Sequence, residues 1–247
     1  MATIAEASTF HFVAPPQLAW AQRILIKPCA STGLPYPVST SRWLIESVVA
    51  GIRKVTDAEV LIADGSPFGA SMYPLYENLN YAFNRTLLLD VKDSIFLEME
   101  NPLQEFFASP TFYIPNLVLR SDFLISIAPY HVKSGSGRFS IANLLGLLPL
   151  SQKRTSAAPE YQGLRGLEME RVLADLYFTL PFDMGIVEAR QRWDYQDDPG
   201  QGTATDYGKI LVGDPFEVDM LAARLYGAPP EHLTLIEQGR RVLAQAH

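Results

Sequence analysis

RILIKPCASTGLPYPVSTSRWLIESVVAGIRKVTDAEVLIADGSP, Arg23 to Pro67, decides the fold class. RILIK, Arg23 to Lys27, is a short apolar strand closed by Pro28, whose ring removes a ladder donor. Ser39 or Thr40 can cap a helix over 41–54 that carries Leu44, Ile45, Val48, Val49 and Ile52 on one side. EVLIA, Glu59 to Ala63, is a second strand and stops at the turn residues Asp64, Gly65, Ser66 and Pro67. Strand, helix, strand over so few residues packs most simply as two parallel strands joined by a crossover.

Working outward, 71–79 reads as a short helix, and TLLLDV (86–91) and SIFLEME (94–100) read as strands. The second alternates apolar Ile95, Leu97 and Met99 with polar residues, so it is expected to be half exposed. A strand is also expected at 112–114. DFLISI, 122–127, reads as a buried central strand that delivers the run SIAPYHVKSGSGRFSIANLLGLLP, Ser126 to Pro149: strand, basic glycine-rich loop, then helix. Beyond it come a polar hinge at 151–159, a helix over 164–178, a strand at 184–187 and a mobile or surface loop at 194–206 rich in Asp, Gly, Thr and Gln. GDPFEVDMLAARLYG has Asp214 as N-cap, Pro215 in the first helical position, Glu217 to complete a capping box and Gly227 at the left-handed end. A last helix starts near Glu231. The expected fold is α/β, a mixed and largely parallel sheet flanked by helices. It spans 1–247 as one domain, with a possible boundary between two lobes near 151–160.

Of the 247 residues, 48% are hydrophobic and 19% charged, enough to bury a substantial core. A net charge of −7 argues against nucleic-acid binding, which needs a concentrated cationic surface, so any anion site must be local. The single cysteine, Cys29, cannot form an intramolecular disulfide or a cysteine-ligated cluster. The first residues lack the basic start and apolar run of a secretory signal, and no run of about 18 apolar residues suits a membrane span. A cytoplasmic protein with no membrane contact is expected.

The 126–149 run holds the candidate site. His131, Lys133 and Arg138 are interleaved with Ser134, Gly135, Ser136 and Gly137 at the end of a buried strand. Glycines let backbone N–H groups converge on an anion, and a helix after the loop would add its positive end. The competing reading is a flexible turn kept soluble by charge. His131 is the first catalytic candidate, as general base, against the reading of a hydrogen-bonded structural histidine. Lys27 and Asp64 end their strands and would share one rim with His131 if those strands are parallel. Alternatively, Lys27 snorkels to solvent and Asp64 merely opens a turn. Asp214 is accounted for as a cap, whereas Asp219, in an otherwise apolar helix, could bond the loop around 134–143, which includes Asn143. With four histidines scattered along the chain, no metal site is expected. Asp194, Asp197, Asp198 and Asp206 fit no calcium loop and read as a solvated acidic segment. Tyr73, Tyr76, Tyr81, Phe106, Phe107, Phe112 and Tyr113 wall either a pocket or the core.

RILIKPCASTGLPYPVSTSRWLIESVVAGIRK, VLIADGSP, RSDFLISIAPYHVKSGSGRFSIANLLGLLP, GIVEARQRWD and KILVGDPFEVDMLAARLYG together resemble, in order and over most of the chain, the domain-of-unknown-function family 362 (DUF362). The resemblance implies an α/β fold of mixed sheets and helices, often encoded beside a ferredoxin-like iron–sulfur module that this one-cysteine chain lacks. It implies no general activity and no named cofactor. Family members commonly place a lysine before the asparagine where this chain has Ala142 before Asn143, and Tyr130-His131-Val132-Lys133 is a rearranged upstream pattern. Two functions are consistent with this: binding of a small anionic metabolite or cofactor, with acid–base chemistry by His131, or a non-catalytic accessory or docking subunit of a redox or metabolic partner. Either is compatible with a homo-oligomer.

Overall fold

The computed structural model describes residues 1–67, 69–149, 168–180 and 182–245. Its strands are β1 (Thr3–Glu6), β2 (Arg23–Pro28), β3 (Glu59–Asp64), β4 (Thr86–Asp90), β5 (Phe96–Glu100), β6 (Thr111–Pro115), β7 (Phe123–Lys133), β8 (Ser136–Arg138), β9 (Met184–Tyr195) and β10 (Gly202–Gly213). Helices are α1 (Arg42–Arg53), α2 (Tyr73–Asn78), α3 (Asn116–Leu119), α4 (Met169–Thr179), α5 (Pro215–Tyr226) and α6 (Glu231–Gln245), with a 3₁₀ helix at Ala142–Leu147. An eight-stranded mixed sheet runs in the order β1-β10-β9-β7-β2-β3-β4, with β8 added to β7, and β5 and β6 form a separate hairpin. β9, β7, β2, β3 and β4 pair in parallel, whereas β1, β10 and β8 pair antiparallel. The sheet is therefore mixed and mostly parallel, as the opening strand, helix, strand implied.

Alternation along the strands sets the two faces. Ile24, Ile26, Val60, Ile62, Ile125 and Ile127 meet Leu44, Ile45, Val48 and Ile52 of α1, which is capped by Ser41 accepting from the Leu44 N–H at 3.1 Å. Leu25, Leu61 and Leu124 face the other way, against Phe112 and Ile114 of β6, Leu144 and Leu147 of the 3₁₀ helix, and Val172 and Leu176 of α4. Lys27 lies two residues beyond Leu25, so the pleat turns it to this second face, beneath the 3₁₀ helix. Tyr130, Val187, Ala189 and Leu211 make a third cluster with Val218 and Ala222 of α5 and Leu233 and Ile236 of α6.

Several expectations change. The central strand does not end at Ile127: β7 continues to Lys133, turns at Ser134 and Gly135 (φ 47° and 79°), and returns as β8. The glycine-rich segment is thus a hairpin with a two-residue turn at positive φ, the geometry that matches strand twist. After β8 the chain forms a six-residue 3₁₀ helix, too short to supply a macrodipole. The segment 194–206 is the tip of the β9–β10 hairpin: 196–201 form the loop, whereas Asp194, Tyr195 and the residues from Gly202 to Asp206 belong to the strands. Glu217 accepts no bond from its cap; it pairs with the Met1 amino group at 3.0 Å, while Asp214 caps the Glu217 N–H at 3.1 Å. The hinge expected at 151–159, the lobe boundary near it and the start of the helix expected from Leu164 lie outside the described residues. Among the described residues no helix is long and apolar enough to cross a membrane.

Candidate functional site

The carboxyl ends of β2 and β3, the β7–β8 hairpin and the 3₁₀ helix enclose a cleft of about 1210 Å³. Lys27, Asp64, His131, Lys133, Ser134, Ser136, Arg138 and Asn143 all line it, so the topology gathers eight of the eleven site residues expected from sequence. Gly135 and Gly137 belong to the same hairpin but not to the wall, and Asp219 acts from behind. Ligand crevices at the carboxyl ends of parallel strands are the general rule for such sheets.

Lys27 does not snorkel. Its ammonium is 2% exposed and is surrounded by the Asp64 carboxylate at 2.7 Å, Asn143 Oδ1 at 2.7 Å and the Pro28 carbonyl at 3.0 Å. Three acceptors use its three protons. Asp64 in turn accepts from the Ala30 and Gly65 N–H groups, both at 2.8 Å. Asn143 donates to the Lys27 carbonyl (3.1 Å) and Ser126 Oγ (3.1 Å), fastening the 3₁₀ helix to β2 and β7. A buried pair this fully bonded is a floor; truncating either partner would strand the other charge. Gly146 sits so close above it that a Cβ there would lie 2.6 Å from Lys27 Nζ.

Asp219 has no exposure and accepts from Ser140 N–H (3.0 Å), Ser140 O–H (2.5 Å) and Ile141 N–H (2.9 Å), tying α5 to the segment that enters the 3₁₀ helix. Burial pushes its pKa up to about 7, against the pull of those hydrogen bonds. It positions the wall and does not face the cleft.

In the hairpin, His131 pairs with Arg138 and Lys133 with Ser136. Alternation puts these four on one face and Val132 and Gly137 on the other. Gly137 is demanded by packing: a Cβ there would meet the Phe139 ring at 2.5 Å, and that ring packs on Tyr130 with centroids 5.1 Å apart. An anion cradle is not needed to explain either hairpin glycine: the turn accounts for Gly135 and packing for Gly137.

His131 is 7% exposed, stacks edge-on to Tyr195 with centroids 5.4 Å apart, and donates from Nε2 to the Pro37 carbonyl at 2.9 Å, which fixes the tautomer. Burial lowers its pKa to about 4, outweighing the Pro37 bond, so the ring is neutral at pH 7 and a weak base. Pro37 is held by its own loop: Thr40 Oγ1 bonds the Ile127 carbonyl (2.8 Å), and the Ser41 N–H bonds Glu188 (2.9 Å). Cys29 is pushed up to about 12, chiefly by burial and against the nearby Lys27 charge, so its thiol is protonated.

Arg138 is 22% exposed and is held at one nitrogen by Glu170 of α4 at 2.6 Å. Glu170 also accepts from the backbone and Nδ1 of buried His232, at 3.1 and 2.6 Å. Burial would raise the Glu170 pKa, but the His232 hydrogen bonds and the Arg138 charge hold it well below the usual carboxylate range. Lys133 is exposed at the mouth and has no polar partner among the described residues.

Sequence patterns do not single out Tyr195, Glu170 or His232. Tyr195 lies in the stretch that reads as loop, and the others reach Arg138 only through tertiary packing of α4 and α6. The aromatic residues 73, 76, 81, 106, 107, 112 and 113 do not line the cleft; Tyr76, Tyr81 and Phe112 are core. Asp194, Asp197 and Asp198 line a second, smaller pocket at the β9–β10 tip, and Asp194 is paired with Arg192 at 2.6 Å. Among the described residues no group of three or more His, Cys, Asp or Glu is placed to hold a metal ion.

A search of the curated proteins returned no match to the chain. A family model, described as a domain of unknown function, matches residues 24–224, from within β2 to within α5 and across every wall of the cleft. The chain therefore belongs to the DUF362 family.

Proposed function

We propose that the cleft binds a small anionic molecule, through a phosphate or carboxylate group held by Lys133 and Arg138. The observation that carries this reading is the local charge. In a chain of net charge −7, the described lining holds Lys27, Lys133 and Arg138, and Asp64 is the one carboxylate among those described residues. Lys27 is offset by Asp64 and Arg138 by Glu170, which leaves Lys133 as the unpaired cation and the outer N–H groups of Arg138 as free donors beside it. Glu170 occupies one Arg138 nitrogen and so aims the guanidinium, whose fork suits a bidentate oxyanion.

The same groups favour binding over proton transfer. Lys27 has spent its protons, the Cys29 thiol is protonated, and His131 is too weak a base at neutral pH to do general-base work unaided. Calorimetric titration with inorganic phosphate and small phosphate monoesters tests the reading. Binding should be saturable, weaken with salt, and fall at least about tenfold in Lys133→Glu, because reversing a mouth charge acts on the ligand field directly. Absence of binding to wild type, or equal binding to Lys133→Glu, would overturn it.

A further inference from the structure

His131 and Arg138 are directly opposed across the β7–β8 pair, and Lys133 is the next residue on the same face. Opposed side chains start about 5 Å apart, so one small molecule spans them. The Pro37 carbonyl can only accept, so Nε2 carries the ring proton and Nδ1 presents a lone pair. That nitrogen has no hydrogen-bond partner among the described residues, although the side chain is nine-tenths buried and lines the cleft.

A lone pair beside an anion subsite repels a bare oxyanion and is satisfied only by a donor. A cationic donor is opposed by Lys133 and Arg138. A neutral hydroxyl meets both conditions.

We propose that the anion taken by this cleft is hydroxylated: its acid group meets Lys133 and Arg138, while a hydroxyl one or two carbons away donates to Nδ1 of His131. The inference rests on the anion-binding reading and narrows it to short hydroxy acids or phosphorylated polyols. His131 is then a specificity-determining residue. It selects by accepting a hydrogen bond and has no need to gain a proton.

Paired probes that differ in hydroxylation test it. Glycerol 3-phosphate should bind about 3- to 10-fold tighter than propyl phosphate, and glycerate tighter than propionate by a similar factor, the usual worth of one net hydrogen bond. His131→Phe should erase the preference, bringing the affinities for the two members of each pair to within about twofold of each other. In the wild-type protein, the ¹⁵N resonance of the unprotonated His131 nitrogen should move with glycerol 3-phosphate and not with propyl phosphate, which decides the matter even if the variant does not fold. Equal affinity for the two members of each pair, or an unmoved resonance, overturns this inference while the anion site stands. If neither member binds, the anion-binding reading falls and takes this one with it.

Discussion

The Lys27 ammonium, with Asp64, Asn143 and the Pro28 carbonyl around it, illustrates how a residue that reads as a candidate for chemistry becomes a floor. Lys27→Met leaves Asp64 buried and charged, and should lower stability in urea denaturation by about 3 to 5 kcal/mol. Adding Asp64→Asn removes the stranded charge but keeps an oxygen for only one of the Ala30 and Gly65 N–H groups, which bond Oδ2 and Oδ1 respectively, so it should recover about 1 to 2 kcal/mol of that loss. A single-variant cost below about 1 kcal/mol would contradict the assignment. His131 gives a pH signature. Its folded pKa of about 4 lies below the ordinary 6.5, so the unfolded chain binds the extra proton between those values. The stability it contributes is complete above 6.5 and is lost as pH falls towards 4, by about 3 kcal/mol in all. Asp219, raised from 3.8 to about 7, has the opposite sign: its contribution is complete below 3.8 and is lost as pH rises through 7. The two partly cancel in the wild type. The stability difference between wild type and His131→Gln should therefore rise from pH 4 to 6.5, and a flat difference would show that the ring is not buried neutral.

At the scale of elements, the β7–β8 hairpin turns a glycine-rich run into a patterned face. Strict alternation from His131 to Lys133 and from Ser136 to Arg138 is present in the sequence, but the polar residues flanking Ser134 and Gly135 hide the period and make the whole run read as a loop. Gly137→Ala should cost about 1 to 3 kcal/mol by forcing Phe139 out of place, whereas Gly135→Asn should cost under about 0.5 kcal/mol, since asparagine accepts positive φ and the nearest atom, Tyr226 Oη, is 3.6 Å from a Cβ there. Thermal melting of both variants checks this ordering. If Gly137→Ala instead kept full stability and lost anion affinity, the glycine would be a cradle after all. The opening strand, helix, strand is legible because its apolar residues fall on faces that are buried. The outer half of the β9–β10 hairpin is not: its β10 residues from Gly202 to Asp206 are exposed, so no burial imposes a period on them.

Over the whole molecule, the short crossover through α1 implies the parallel pairing of β2 and β3, and Lys27, Asp64 and His131 gather at one end of the sheet because β7 also pairs parallel to β2, after a connection too long to imply it. No local pattern reveals the support behind them: α4 and α6 bring Glu170 and His232 to Arg138, and α5 brings Asp219 to Ser140. Those contacts join residues far apart in sequence through packing alone. They leave, in an acidic chain, a cleft whose mouth carries Lys133 unpaired beside the outer face of Arg138, and the central claim proposed for it is that it receives an anion. Anomalous diffraction from crystals soaked in tungstate, an electron-dense phosphate mimic, tests it most directly. The account predicts a peak between Lys133 and Arg138 that is displaced by glycerol 3-phosphate and absent in Lys133→Glu. A cleft without tungstate in wild-type crystals, or a peak there that survives Lys133→Glu unchanged, would contradict it.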